Sequence, residues 1–133
     1  MSKPLPTRLL HVTIERSVKD VYRFVANPEN LPKWASGLGK GIRLIDGLWF
    51  ADTPQGQLEV RFAPANDLGV LDHEVVLASG ASVVIPMRAV ANGDGCELTF
   101  TLFRQPEMSD EKFNEDTAWV TRDLEALKTL LEA

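Results

Sequence analysis

Near the start of the chain Leu10, Val12 and Ile14 alternate with His11, Thr13 and Glu15, the period of a strand with one buried face. Ser17, with Asp20 three residues on, can cap a helix, and Val18, Val21, Tyr22 and Val25 then recur at helical spacing. "ANPEN" stops that helix and starts a second short one, with Asn27 as N-cap and Pro28 at the first helical position, where a missing N–H costs nothing. Leu31 and Trp34 would face inward. "SGLGKG" is too glycine-rich for helix or strand and reads as a flexible hinge.

From residue 42 to 104 the pattern is all-β. "DG" at 46 and 47, "TPQG", "NDLG", "SG" and "NGDG" mark turns and loops between six strands near 42–46, 48–52, 57–63, 70–78, 82–91 and 96–104. The last 25 or so residues return to helix. Ser109 caps it, Asp110 and Glu111 sit at the positive end of its dipole, and Phe113, Thr117, Val120, Leu124, Leu127 and Leu131 form one apolar stripe. That stripe predicts a long helix lying on the sheet, with Trp119 to its side, at an edge or in a subunit contact.

Turn length sets register, and register decides which face each side chain joins. A two-residue "DG" turn pairs Ile45 with Leu48, Leu44 with Trp49 and Ile42 with Ala51. The "TPQG" turn pairs Ala51 with Leu58 and Trp49 with Val60, so Phe62 shares their face. The "NGDG" hairpin pairs Ala89 with Leu98, Met87 with Phe100 and Ile85 with Leu102, leaving Arg88 opposite Thr99 on the polar face. In "LDHEVVL" (71–77) Leu71, His73, Val75 and Leu77 alternate with Asp72, Glu74 and Val76, which places a histidine on the apolar face. A three-residue loop with Gly80 in the left-handed region pairs Leu77 with Val83, Val75 with Ile85 and His73 with Met87. Pro86 cannot donate to a ladder and implies a bulge that can flip parity on one side of it.

At 133 residues, 44% apolar and 25% charged, the chain is expected to form one domain spanning 1–133. A formal charge of -5 with scattered Lys and Arg argues against nucleic acid and anionic membrane as partners. Cys96 stands alone, which excludes an internal disulfide and fits a reducing cytoplasm. "MSKPLPTRLL" has no apolar segment of signal-peptide type, and no run approaches the roughly 20 residues of a membrane span, so a soluble cytoplasmic protein is expected.

The order strand, two short helices, six strands, long helix (β-α-α-β6-α) resembles the helix-grip fold of the START/Bet v 1-like (SRPBCC) superfamily, over nearly the whole chain. "HVTIERSVKDVYRFVANPENLPKWA", "VIPMRAVANGDGCELTFTLFR" and "MSDEKFNEDTAWVTRDLEALKTLLE" are similar to its bacterial polyketide cyclase/dehydrase-like group. The resemblance implies an α+β protein in which a seven-stranded curved antiparallel sheet wraps around the C-terminal helix. It also implies a cavity between them for an apolar or aromatic small molecule, with no cofactor. Trp34 and the "SGLGKG" loop would lie near the mouth. Tyr22, Trp49, Val60, Phe62, His73, Met87, Phe100, Val120 and Leu124 would complete the lining.

Three functions stay open. The first is binding of an apolar or aromatic molecule, by a monomer or homodimer, with His73 among few polar contacts. The second is a cyclase or dehydratase acting on a polyketide-like substrate, with His73 as acid or base and Tyr22 as another group able to polarise a carbonyl. The third is a protein-interaction module with a vestigial cavity. His73 itself reads as a satisfied core histidine, a ligand contact or a proton-transfer group. Asp72 and Glu74 fall on the opposite face, so "DHE" is no dyad. Two His and one Cys at dispersed positions show no metal-ligand spacing, and His11 points away from the cavity. "GLGKG" lacks the spacing and the Ser or Thr of a phosphate loop, and "NGDG" lacks a calcium loop's ligands. Arg88 belongs outside, paired with a carboxylate. Asp110, Glu111, Glu115, Asp116 and Asp123 read mainly as a solvated helix face. A cavity above roughly 300 Å³ with His73 on its wall would favour the first two functions; filling by Trp49, Phe62 and Phe100 would favour the third.

Overall fold

A computed structural model describes residues 3–38, 41–54 and 56–133. Part of the expected hinge, Gly39 and Lys40, and Gln55 of the "TPQG" turn lie outside the described residues. The elements run β1 (Thr7–Ile14), α1 (Val18–Ala26), α2 (Leu31–Trp34), β2 (Ile42–Ile45), β3 (Leu48–Thr53), β4 (Gly56–Phe62), β5 (His73–Val76), β6 (Ser82–Ile85), β7 (Met87–Asn92), β8 (Gly95–Phe103) and α3 (Asp110–Glu132). Short 3-10 turns at Pro28–Asn30 and Ser36–Leu38 flank α2. The caps are the expected ones: the Ser17 hydroxyl accepts from the Asp20 N–H, Asn27 from Glu29, and Ser109 from Lys112.

The expectation of one seven-stranded sheet fails at a single residue. The strand expected over 82–91 is two strands separated by Pro86, and among the described residues eight strands form two antiparallel sheets, β1-β8-β7 and β2-β3-β4-β5-β6. Pro86 brings no N–H, so the ladder must break there. Its carbonyl still accepts from the Thr101 N–H at 2.9 Å, the last bond before β6 leaves β8. Beyond the break β7 pairs with the connection ahead of β5: the Leu71 N–H donates to the Met87 carbonyl and the Ala89 N–H to the Gly69 carbonyl. Asp72 mends the seam, its Oδ1 accepting the Met87 N–H at 2.8 Å while its two oxygens hold Arg88 at 3.0 and 2.9 Å. Arg88 is therefore a surface ion-pair partner of Asp72, and the charges beside His73 are committed away from it.

Register elsewhere follows the turns. Ile42, Leu44 and Ile45 pair with Ala51, Trp49 and Leu48; Trp49 and Ala51 pair with Val60 and Leu58; Met87 and Ala89 pair with Phe100 and Leu98, with Arg88 opposite Thr99. The β5–β6 register differs by two residues. His73 lies opposite Ile85 and Val75 opposite Val83, not Met87 and Ile85, because the ladder closes at the Leu77 N–H to Ala81 carbonyl bond around a loop with Gly80 at φ +91°. A two-residue slip preserves the face, so His73, Val75, Val83 and Ile85 still share one side. Ile85 consequently pairs with His73 and not with Leu102.

The core forms where β1, β7 and β8 meet α1 and the second half of α3. Ile14, Val21, Val25, Leu31, Leu71, Met87, Cys96, Leu98 and Leu127 are almost fully enclosed. On α3 the apolar stripe divides: Leu124, Leu127 and Leu131 are buried, whereas Val120 is only half-buried. The helix's far end is held separately, by Phe113 under the Arg8 guanidinium, which also donates to Asn114 and Thr117. Between these two anchorages α3 spans the parting of the sheets.

Candidate functional site

A cleft of about 490 Å³ opens at that parting. One wall is β5 and β6, through His73, Val75 and Val83–Ile85; the other is the end of β8, Phe100–Phe103. Leu31, Trp34, Ala35 and Gly37 close one end, and the first half of α3 forms the roof with Lys112, Glu115, Asp116, Trp119, Val120 and Asp123. The Pro86 break thus does more than shorten a strand. It separates β6 from β8 where both face α3.

Of the residues expected to line a cavity, Trp34, His73, Phe100 and Val120 meet here. Tyr22, Trp49, Val60, Phe62, Met87 and Leu124 do not line the cleft. The Tyr22 hydroxyl accepts the Asn66 N–H at 3.0 Å and fixes the connection before β5, so it is not placed to polarise a carbonyl in the cleft. Val60, Met87 and Leu124 are core, and Trp49 sits half-buried against its partners on β2 and β4. Phe62 backs the site from behind, its ring stacked on His73 with centroids 4.9 Å apart and planes 28° apart.

Glu115, Asp116 and Asp123 read in sequence as a solvated helix face yet lie on this roof, and the reason is a rotation of one residue. Positions 112, 116, 119 and 123 repeat at four, three and four, the same period as the apolar stripe 113, 117, 120, 124 but about 100° to its side. Where a helix packs flat, that flank is wet; where it spans a gap, the flank looks into it. Trp119 is the edge residue expected, and its edge is the cleft. Its indole N–H donates to the Ser36 hydroxyl, which donates to Asp123 Oδ1 at 2.7 Å, while the Ser36 N–H donates to the same oxygen at 3.2 Å. This chain ties the turn after α2 to α3 across the cleft's end. Lys112 reaches Asp116 at 2.8 Å and Glu115 at 3.8 Å.

Burial pushes the Asp123 carboxyl above its ordinary range, against the opposing pull of the Ser36 hydrogen bonds. A carboxyl whose folded pKa is raised costs stability when ionised, and that cost vanishes once the pH is below the unfolded value, about 3.9. Asp123→Asn keeps the acceptor for Ser36 and removes the charge. It should raise the melting temperature by about 1–3 °C at neutral pH and match the native chain near pH 3.5. Calorimetry at the two pH values checks this; an asparagine variant less stable at neutral pH would show that the charge itself holds the turn.

His73 keeps 7% of its surface exposed. Its Nδ1 lies 3.0 Å from the Leu71 carbonyl, which can only accept, so Nδ1 carries the proton. Burial lowers its pKa below the ordinary histidine value, outweighing the Leu71 bond and the Asp72 charge, which act to raise it. The ring is neutral at pH 7, and Nε2 presents a lone pair with no protein partner among the described residues. The Trp34 indole N–H also has no partner among the described residues, but that atom is closed off from solvent and does not open onto the cleft.

No protein-family model matches this sequence, and no curated protein is similar to it. Solved structures are similar at the level of fold. A START superfamily protein from Mycobacterium smegmatis aligns with TM-score 0.69 at 16% identity, over 95% of this chain and 97% of that one. Ara h 8.0201 aligns with TM-score 0.68 at 11% identity, over 96% and 97%. DynU16, described as a putative protein in the dynemicin biosynthetic locus, aligns with TM-score 0.72 at 15% identity over 98% of this chain, which spans 48% of its length. The chain is an α+β protein with a START/Bet v 1-like fold. No helix among the described residues is long and apolar enough to cross a membrane.

Proposed function

We propose that this protein binds an apolar or aromatic small molecule in the cleft between its sheets and α3. The observation that carries the reading is the cleft itself, about 490 Å³, within the range of small-molecule sites. Its inner surface is Trp34, Val75, Val83, Ile85, Phe100, Leu102 and Val120, with His73 as the buried polar group. Two of the aromatics that could have filled it, Trp49 and Phe62, pack elsewhere, which favours binding over a vestigial cavity. The fold shared with a START superfamily protein and with a protein of a biosynthetic locus is consistent with this reading.

The test is native mass spectrometry of protein purified from its own host, followed by thermal shift with the molecule released. A copurified small molecule that, at a hundred times its Kd, stabilises the fold by about 2.7 kcal/mol would support binding. An empty protein whose melting temperature no apolar or aromatic compound raises would refute it.

One observation favours a second reading, cyclase or dehydratase chemistry. A neutral imidazole with a bare Nε2 can take a proton from a bound substrate as a general base, although no carboxylate orients it and Leu71 holds Nδ1 instead. His73→Ala separates the two. Turnover lost with affinity intact argues for a base, and affinity lost with no turnover in the native chain argues for binding.

A further inference from the structure

The buried polar side chain on the cleft wall is His73. His73 Nε2 is an acceptor, fixed as such because the Leu71 carbonyl claims the proton on Nδ1 and Phe62 holds the ring from behind. Charges that could compensate an ionised ligand are elsewhere or of one sign. Asp72 faces the other side of the sheet and is held by Arg88 and the Met87 N–H. Glu115, Asp116 and Asp123 on the roof outnumber Lys112, whose ammonium they already occupy at 2.8 and 3.8 Å through Asp116 and Glu115.

A ligand carboxylate brings acceptors only. Beside His73 it would set lone pair against lone pair and sit under a net negative roof. A ligand ammonium could donate to Nε2 and is not repelled by that roof, so the charge of the cleft discriminates against anions. A neutral hydroxyl meets Nε2 in kind, since its O–H donates without bringing a charge.

Building on the binding reading above, we propose that the cleft selects neutral aromatic alcohols, phenols foremost. The ligand hydroxyl donates to His73 Nε2, and the corresponding carboxylates are rejected. The selectivity is set by the His73 tautomer, which the Leu71 carbonyl fixes from two residues earlier in the chain.

Calorimetric titration with naphthalene, 2-naphthol and 2-naphthoate at neutral pH tests this on the full chain. The shared ring system reports the apolar cleft, and the substituent reports the contact with His73 Nε2. Naphthol should bind about fivefold tighter than naphthalene and at least about a hundredfold tighter than naphthoate. In His73→Phe, naphthalene affinity should persist and naphthol should fall to it; retained naphthalene binding also shows that the variant folds. Naphthoate binding within tenfold of naphthol, or a naphthol preference that survives His73→Phe, overturns the selectivity while leaving the binding reading in place. If none of the three compounds binds the native chain, both fall. Should His73→Phe fail to fold, the three affinities of the native chain decide alone.

Discussion

Replacing Gly69 by alanine should destabilise the fold by roughly 3–5 kcal/mol, lowering the melting temperature by about 10–15 °C. Gly69 stands at φ +72° in the connection between β4 and β5, and a Cβ there would lie 2.0 Å from the Ala89 carbonyl oxygen. The obstacle is backbone and cannot rotate aside. The Gly69 carbonyl also accepts the Ala89 N–H at 2.9 Å, one of the bonds that carry β7 across the parting. Relief would push the connection off β7, and with it Leu71, Asp72 and His73. Gly80→Ala is the control. Gly80 has φ +91° but nothing within 4 Å of a new Cβ, so it should cost only about 1–2 kcal/mol from backbone strain. Urea denaturation of both variants decides the point: equal losses would mean that the close approach to Ala89 contributes nothing.

Leu127→Ala should cost about 3 kcal/mol, whereas Val120→Ala, two turns earlier on the same stripe, should cost about 1 kcal/mol or less. Leu127 has no exposed surface and lies in the core cluster with Ile14, Leu124 and Leu131. Truncating it leaves a cavity that close-packed neighbours cannot fill. Val120 is half-buried on the roof of the cleft, and its truncation enlarges space already present. Chemical denaturation of the two variants measures the contrast. A Val120→Ala loss as large as that of Leu127→Ala would mean the roof is packed core and the cleft is not open.

These two experiments mark where reading the sequence succeeded and where it stopped. Register across "DG", "TPQG" and "NGDG" was legible because the turn chemistry allows few loop lengths, and each length dictates the pairs. The face of His73 was legible for a weaker reason: the assumed register was wrong by two residues, and only parity survived. Pro86 was recognised as the weak point of its strand, but its consequence was not. A missing N–H says that a ladder breaks, and says nothing of whether the strands rejoin or diverge.

Of the residues that line the cleft, only some are legible in the sequence. Trp34, His73, Phe100 and Val120 follow from face and order along the chain. Lys112, Glu115, Asp116 and Asp123 do not, since a polar flank on a helix looks identical in sequence whether water or a cleft lies beside it. Tyr22 and Phe62 share an amphipathic pattern with lining residues, yet one holds a loop and the other supports a ring.

By itself the sequence determined the elements, their caps, most strand pairs and the side of the sheet from which His73 projects, all properties of local geometry and periodicity. Only the tertiary structure decided that the sheet divides at Pro86 and that α3 spans the division. The same holds for the burial of His73, which lowers its pKa and sets the ring on the cleft wall. These depend on where distant backbone groups such as the Met87 N–H and the Ala89 carbonyl come to rest, and on what burial then does to a titratable ring. No spacing along one chain encodes that.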